Sequence, residues 1–153
     1  MRRPDAGLEV ALGQRRRVLE EAQQRLSERE RSAREAANRV AAAEGRVQMV
    51  LGQIAAAQRP QAGQDLAVTL LSDLERLLRW CDEQLDAEQA RLAAAKANAE
   101  TARGEVAGAH QSVRALELVL EARAAERAEA QRRMELRLAD ETAARVHRRK
   151  AAA

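Results

Sequence analysis

Gln58-Arg59-Pro60-Gln61-Ala62-Gly63-Gln64-Asp65, or QRPQAGQD, is the one stretch of this chain that combines helix breakers, and it separates two long segments of apolar periodicity. Pro60 disfavours helical geometry at Arg59, Gly63 permits a left-handed turn, and the Asp65 side-chain oxygen can cap a following helix. The stretch predicts a turn over 59–64, with a first helix at about 7–58 and a second at about 65–148, in a single coiled-coil unit spanning 1–153. Pro4 and Asp5 stand where the first helix can begin. At about 1.5 Å per residue the helices would be roughly 78 Å and 126 Å long.

Working outward from the turn, both segments keep the 3-4 spacing that holds one narrow apolar stripe toward a partner helix. In the first helix one register reads Leu12, Leu19, Leu26, Ala33, Val40, Val47 and Ile54; the other reads Leu8, Arg15, Ala22, Arg29, Ala36, Ala43, Val50 and Ala57. Only Arg15 and Arg29 interrupt it. In the second helix the stripe is Leu71, Leu74, Leu78, Cys81, Leu85, Glu88, Leu92, Ala95, Ala99, Ala102, Val106, Ala109, Val113, Leu116 and Leu120, broken only by Glu88. The expected fold is all-α: a long antiparallel two-helix coiled-coil hairpin with an overhanging C-terminal helix.

Composition supports a thin fold over a globular one. Among 153 residues there is one aromatic, Trp80, and no Phe or Tyr, so a thick core has nothing to be built from. Ala supplies most of the 46 % hydrophobic content, and 33 % of residues are charged, the composition of long helices and coiled coils. Two Pro and seven Gly are too few for a disordered chain.

If the chain reverses near residue 61 or 62, position i lies opposite roughly 123 minus i, so Leu116 faces about Gly7 and Leu120 about Arg3. Beyond Leu120 the same register meets Arg123, Arg127, Ala130, Met134 and Arg137. The seam therefore ends where the first helix runs out, and about thirty residues of the second helix should project past it. Arg15, Arg16 and Arg17 near the start, and Arg145, His147, Arg148, Arg149 and Lys150 near the finish, fall toward that same end. Basic charge on an unpaired amphipathic helix suits insertion into an acidic or ring-shaped partner, the alternative being a frayed basic tail.

A second candidate surface is LLSDLERLLRWCDEQL, Leu70–Leu85, which has more apolar residues than one seam can use. With Leu71, Leu74, Leu78, Cys81 and Leu85 turned inward, Leu70, Leu77 and Trp80 fall outside, and Trp is a frequent interface anchor. A locally wider core covering the turn is the competing reading.

Residues for catalysis are missing from the pattern. His110 and His147 have no Cys or carboxylate at metal spacing, no strand leads into a glycine-rich phosphate loop, and no cofactor is expected. Gly104 and Gly108 mark a close contact or a soft spot in the helix. The net charge of +3 and pI of 9.9 reflect a small Arg surplus that does not demand nucleic acid. The lone Cys81 suits a reducing compartment. No stretch is apolar enough to span a membrane or to act as a secretory leader, so a cytoplasmic location is expected.

LEVALGQRRRVLEEAQQRL, LERLLRWCDEQL and RMELRLADETAARVHRRK together resemble the type III export stalk family, flagellar FliJ and the YscO-like proteins of injectisomes. Arg133, Met134, Asp140, Glu141, Ala143 and Arg145 carry the comparison. The resemblance implies a non-catalytic coupling protein of flagellum biogenesis and motility, located in the cytoplasm and peripherally at the inner-membrane export apparatus. Its implied partners are a hexameric export ATPase, the cytoplasmic domain of the export gate and export chaperones, with no nucleic acid, no membrane insertion, and a monomer when free. The ATPase-binding tip would use Leu8, Leu12, Arg15, Arg16, Met134, Leu138, Asp140, Glu141 and Arg145. The gate-binding patch would use Leu77, Trp80, Cys81 and Gln84. A homodimeric coiled-coil scaffold or a basic-tipped nucleic-acid adaptor is the alternative.

Overall fold

The computed structural model describes residues 5–59 and 64–153. Two helices account for nearly all of them: α1, Ala6–Ala57, and α2, Gln64–Ala151. These bounds fall within three residues of those expected from the sequence. Pro60 and Gly63 lie outside the described residues, as does the Asp65 side chain, whose backbone is already helical. The start of α1 is fixed by a backbone bond, Glu9 N–H donating to the Asp5 carbonyl at 2.9 Å.

The helices pack antiparallel along the expected stripes, giving the all-α hairpin. Packing divides it into two compact units, Met1–Leu19 with Gly108–Ala153, and Glu20–Ala107. In the second of these, α1 buries Ala22, Ala36, Val40, Ala43, Val47 and Val50, and α2 buries Leu74, Cys81, Ala99 and Ala102. Val47, Val50 and Cys81 form one cluster, with Ile54, Leu78 and Leu85 against it. Among the described residues no large side chain is sealed completely from solvent, because two helices alone cannot surround one. In the first unit Leu12 and Val113 are buried, and Leu8, Leu19, Ala109, Leu116 and Leu120 are half-buried. Arg15 and Arg29, the two interruptions in the α1 stripe, are exposed.

The alignment of the helices differs from the expected one by about a heptad. Counting from a reversal at residue 61 or 62 puts Val50 opposite about residue 73 and Glu30 opposite about residue 93. Within Glu20–Ala107, Val50 instead packs with Cys81, and Glu30 pairs with Arg103 at 3.0 Å. In the other unit Arg16 pairs with Glu117 at 3.0 Å, where about residue 107 was expected. The apolar pattern repeats every seven residues and fits equally well at steps of seven, so it cannot choose between them. The seam also runs past Leu120, to Arg123 and Arg127, which close over Asp5. The unpaired part of α2 is correspondingly shorter, residues 128–151, and every residue from 121 onward is exposed.

Helix α2 runs unbroken through Gly104 and Gly108. A Cβ added at either glycine, or at Gly45 or Gly52, would meet nothing within 4 Å, so these glycines do not serve a close approach. They loosen the helix without any packing return. Replacing Gly45, Gly52 and Gly104 by Ala should therefore stabilise the fold by about 0.5–1 kcal/mol each, read as a rise in the thermal midpoint. Ala36→Leu should lower it by about 1–3 kcal/mol, since that methyl is 1 % exposed in the seam.

Candidate functional site

Within the unit that contains both chain ends, Asp5 stands one heptad before Leu12, in the seam. It is only 6 % exposed, an unusual setting for a carboxylate. Arg123 Nη1 donates to its Oδ1 at 3.3 Å, and Arg127 Nη1 donates to its Oδ2. Burial pushes the Asp5 carboxyl up, but hydrogen bonds and charge from Arg127 and Arg123 outweigh it and hold the group below the ordinary carboxylate value. A little further along, Glu117 is held low mainly by its hydrogen bond from Arg16 and also by Arg114. The start of α1 is thus clasped to α2 by charge where the apolar seam gives out.

Past this clasp no other described residue covers α2. Met134 is 63 % and Leu138 53 % exposed, and Leu136 and Val146 are exposed beside them. Asp140, Glu141 and Arg145 face solvent, with Arg145 Nη2 4.0 Å from Glu141 Oε2. Intrahelical pairs, Arg133–Glu129 and Gln131–Glu135, leave much of the basic end unneutralised: Arg148, Arg149 and Lys150 occupy the last turn. Cations there also complement the helix dipole. Of the expected tip residues, Met134, Leu138, Asp140, Glu141 and Arg145 lie on the uncovered stretch. Leu8 and Leu12 lie in the seam, Arg16 is paired with Glu117, and Arg15 is exposed on α1.

The other candidate surface lies within Glu20–Ala107. Leu77 is 41 % and Trp80 53 % exposed, three residues apart and therefore on one side of α2, and Gln84 follows half-buried along the same side. Cys81 is different, only 3 % exposed and packed against Val47 and Val50. The heptad positions put exposed Met49 of α1 on the same side of the hairpin as Leu77 and Trp80. Nearby, Glu88 occupies the seam: its Oε1 accepts from Arg91 Nη1 at 2.6 Å, while Oε2, which accepts no hydrogen bond, lies 3.4 Å from Arg39 Nε.

Among the described residues no group of His, Cys, Asp and Glu is placed to hold a metal ion, and no helix is long and apolar enough to cross a membrane. His110 and His147 are both exposed.

A family model described as the flagellar FliJ protein matches residues 8–152. The chain belongs to the FliJ family. No curated protein and no solved structure matches it. Membership puts the chain among components of flagellar protein export, and of the two branches the resemblance named, the matched one is flagellar. The FliJ match takes in Arg123 and Arg127 but starts after Asp5, so one half of the clasp lies outside the matched span.

Sequence reasoning missed the clasp because Arg123 and Arg127 read as loss of the seam. The available signal was their spacing of four in seam register, together with a single acidic residue one heptad before Leu12.

In this FliJ-family chain the folded-state value of Asp5 is depressed, so its contribution is present above about pH 4 and disappears as pH falls through that lower value. Asp5→Asn should speed amide exchange in residues 6–12 at pH 6, with the difference from the unaltered chain vanishing at the acid end. At the other surface, Trp80→Ala should change stability by less than about 0.5 kcal/mol, and the Cys81 thiol should stay unreactive to a thiol reagent until the hairpin is unfolded.

Proposed function

We propose that this protein is the non-catalytic stalk of a flagellar type III export apparatus. It inserts its terminal end into the hexameric export ATPase and engages the cytoplasmic domain of the export gate through the patch after the turn. The uncovered stretch of α2 supports this reading: residues 128–151 are a helix with exposed apolar and basic side chains and no partner on α1 among the described residues. Met134 and Leu138 would supply apolar contact, Arg145 and the basic last turn would attract acidic surface, and Asp140 and Glu141 would fix orientation. Leu8, Leu12, Arg15 and Arg16 form the neighbouring part of the tip, with Leu12 acting chiefly to hold the hairpin shut beneath it.

At the gate, Leu77 and Trp80 are the anchors and Gln84 lies at the edge. Cys81 contributes from beneath, by fixing the packing on which Leu77 and Trp80 are displayed. Export chaperones are further partners, and the free protein is a monomer, peripheral to the membrane apparatus and independent of nucleic acid.

A pull-down with the cognate ATPase tests the tip. A chain ending at Ala128 keeps the Asp5 clasp and should keep its helix content, yet lose at least about tenfold in ATPase affinity. Leu77→Glu with Trp80→Glu should weaken binding to the gate domain and leave ATPase binding alone. Undiminished ATPase binding by the truncated chain would sink the tip assignment. A stable dimer that dissociates on the same truncation would point to the homodimeric scaffold instead.

A further inference from the structure

Within Glu20–Ala107 the seven-residue repeat of the seam is compatible with alignments other than the observed one. In the observed alignment Val47, Val50 and Cys81 form one cluster, with Ile54, Leu78 and Leu85 packed against it. Sliding the helices by one heptad, about 10.5 Å, places Ala43 against Cys81, Val47 against Leu78 and Val50 against Leu74. Every one of these layers is still apolar, and the small side chains of Ala33, Ala36 and Ala43 accept either neighbour without a clash. That second alignment is close to the one a reversal at residue 61 or 62 would produce. Hydrophobic burial therefore does not distinguish the two.

Charge does. The observed alignment pairs Arg25 Nε with Glu105 Oε2 at 3.5 Å and Glu30 Oε1 with Arg103 Nη2 at 3.0 Å. Arg103 is pushed up in pKa by its Glu30 hydrogen bond and by Glu100, as expected of a cation held between two carboxylates. After a one-heptad slip Arg25 faces uncharged Asn98, and Glu44 comes level with Asp82, placing like charges across the seam. Glu30 would find Lys96 instead of Arg103, so only part of the electrostatic preference is lost. Glu88, held by Arg91 of its own helix, keeps one partner in either alignment.

We propose that this part of the hairpin has two registers one heptad apart, and that flanking charges select the observed one. The device requires no change in secondary structure: α1 and α2 stay helical and exchange one set of flanking neighbours for another. A partner that binds acidic Glu44 and Asp82, or competes for Arg103, would shift the balance and move one helix along the other. Because α1 and α2 are each continuous, the same slide would part Arg16 from Glu117 and Asp5 from Arg123 and Arg127 in the other unit, so those pairs also favour the observed register. The inference stands whether or not the ATPase and gate assignments hold.

The single native cysteine makes the two registers separable. Val50→Cys can close a disulfide with Cys81 only in the observed register, and Ala43→Cys only in the slipped one, since the Cα atoms must come within about 7 Å. Both are compared in the native background and in one carrying Asp5→Asn, Glu44→Lys and Arg103→Glu, which releases the clasp on Arg123 and Arg127, removes the Glu44–Asp82 repulsion and sets a second carboxylate against Glu30 in the observed register. Intramolecular disulfide is read as non-reduced monomer, and circular dichroism confirms retained helix. In the native background Val50→Cys should cross-link and Ala43→Cys should not; in the recharged background the Ala43→Cys yield should rise about fivefold and the Val50→Cys yield fall. Adding Glu30→Arg to the recharged background, which restores an opposite-charge pair between positions 30 and 103, should return the native pattern. Cross-linking that is the same in both backgrounds, with helix intact, overturns the proposal.

Discussion

Two helices share a single interface, and everything else in this fold follows from how narrow that interface is. Each turn of α1 or α2 can hide about one side chain, so apolar contact is confined to one stripe per helix. Leu12, Val40, Val47 and Val50 meet Leu74, Cys81 and Val113 along it, with Ala22, Ala36, Ala43, Ala99 and Ala102 filling the rest. Alanine suits this seam because it keeps helix propensity high while adding almost no bulk between the backbones. The same thinness explains why Phe and Tyr are missing: a ring would protrude beyond the seam on either side. The one ring present, Trp80, lies outside it.

A seam of such uniform composition is poor at specifying alignment, and the task passes to charged residues at its margins. Arg25–Glu105 and Glu30–Arg103 do this in one unit, Arg16–Glu117 in the other. Isolated surface pairs contribute little stability, yet they can decide between alternatives whose apolar terms are equal. The Asp5 clasp is a stronger version of the same device. Its carboxylate is buried, so removing Arg123 and Arg127 would strand a charge, and the two arginines mark where pairing stops.

Where pairing stops, α2 carries its side chains into solvent. Among the described residues no group is placed to hold a metal ion, and exposed apolar side chains occur both on the outer faces of the paired helices and on the stretch of α2 past residue 127. A helix with Met134, Leu136, Leu138 and Val146 uncovered has unsatisfied apolar area that a second surface can bury, and its basic last turn gives that surface a preferred sign. Such recognition suits a member of the FliJ family, whose match covers the paired and unpaired parts alike.

The sequence alone determined the two helices, the break between Gln58 and Gln64, and nearly every residue of the seam. Those features are local, written as Pro60 and Gly63 at one place and as a 3-4 spacing everywhere else. It also placed Leu77 and Trp80 outside the seam and the basic residues at the end of α2, because a position in the heptad fixes a side of the helix. What the sequence left undetermined was which heptad meets which, and so that Asp5 reaches Arg123 and Arg127 and that the inward-facing Cys81 lies against Val47 and Val50. A pattern that repeats every seven residues is satisfied at every step of seven. Only bringing the two helices together, charge against charge, selects one step.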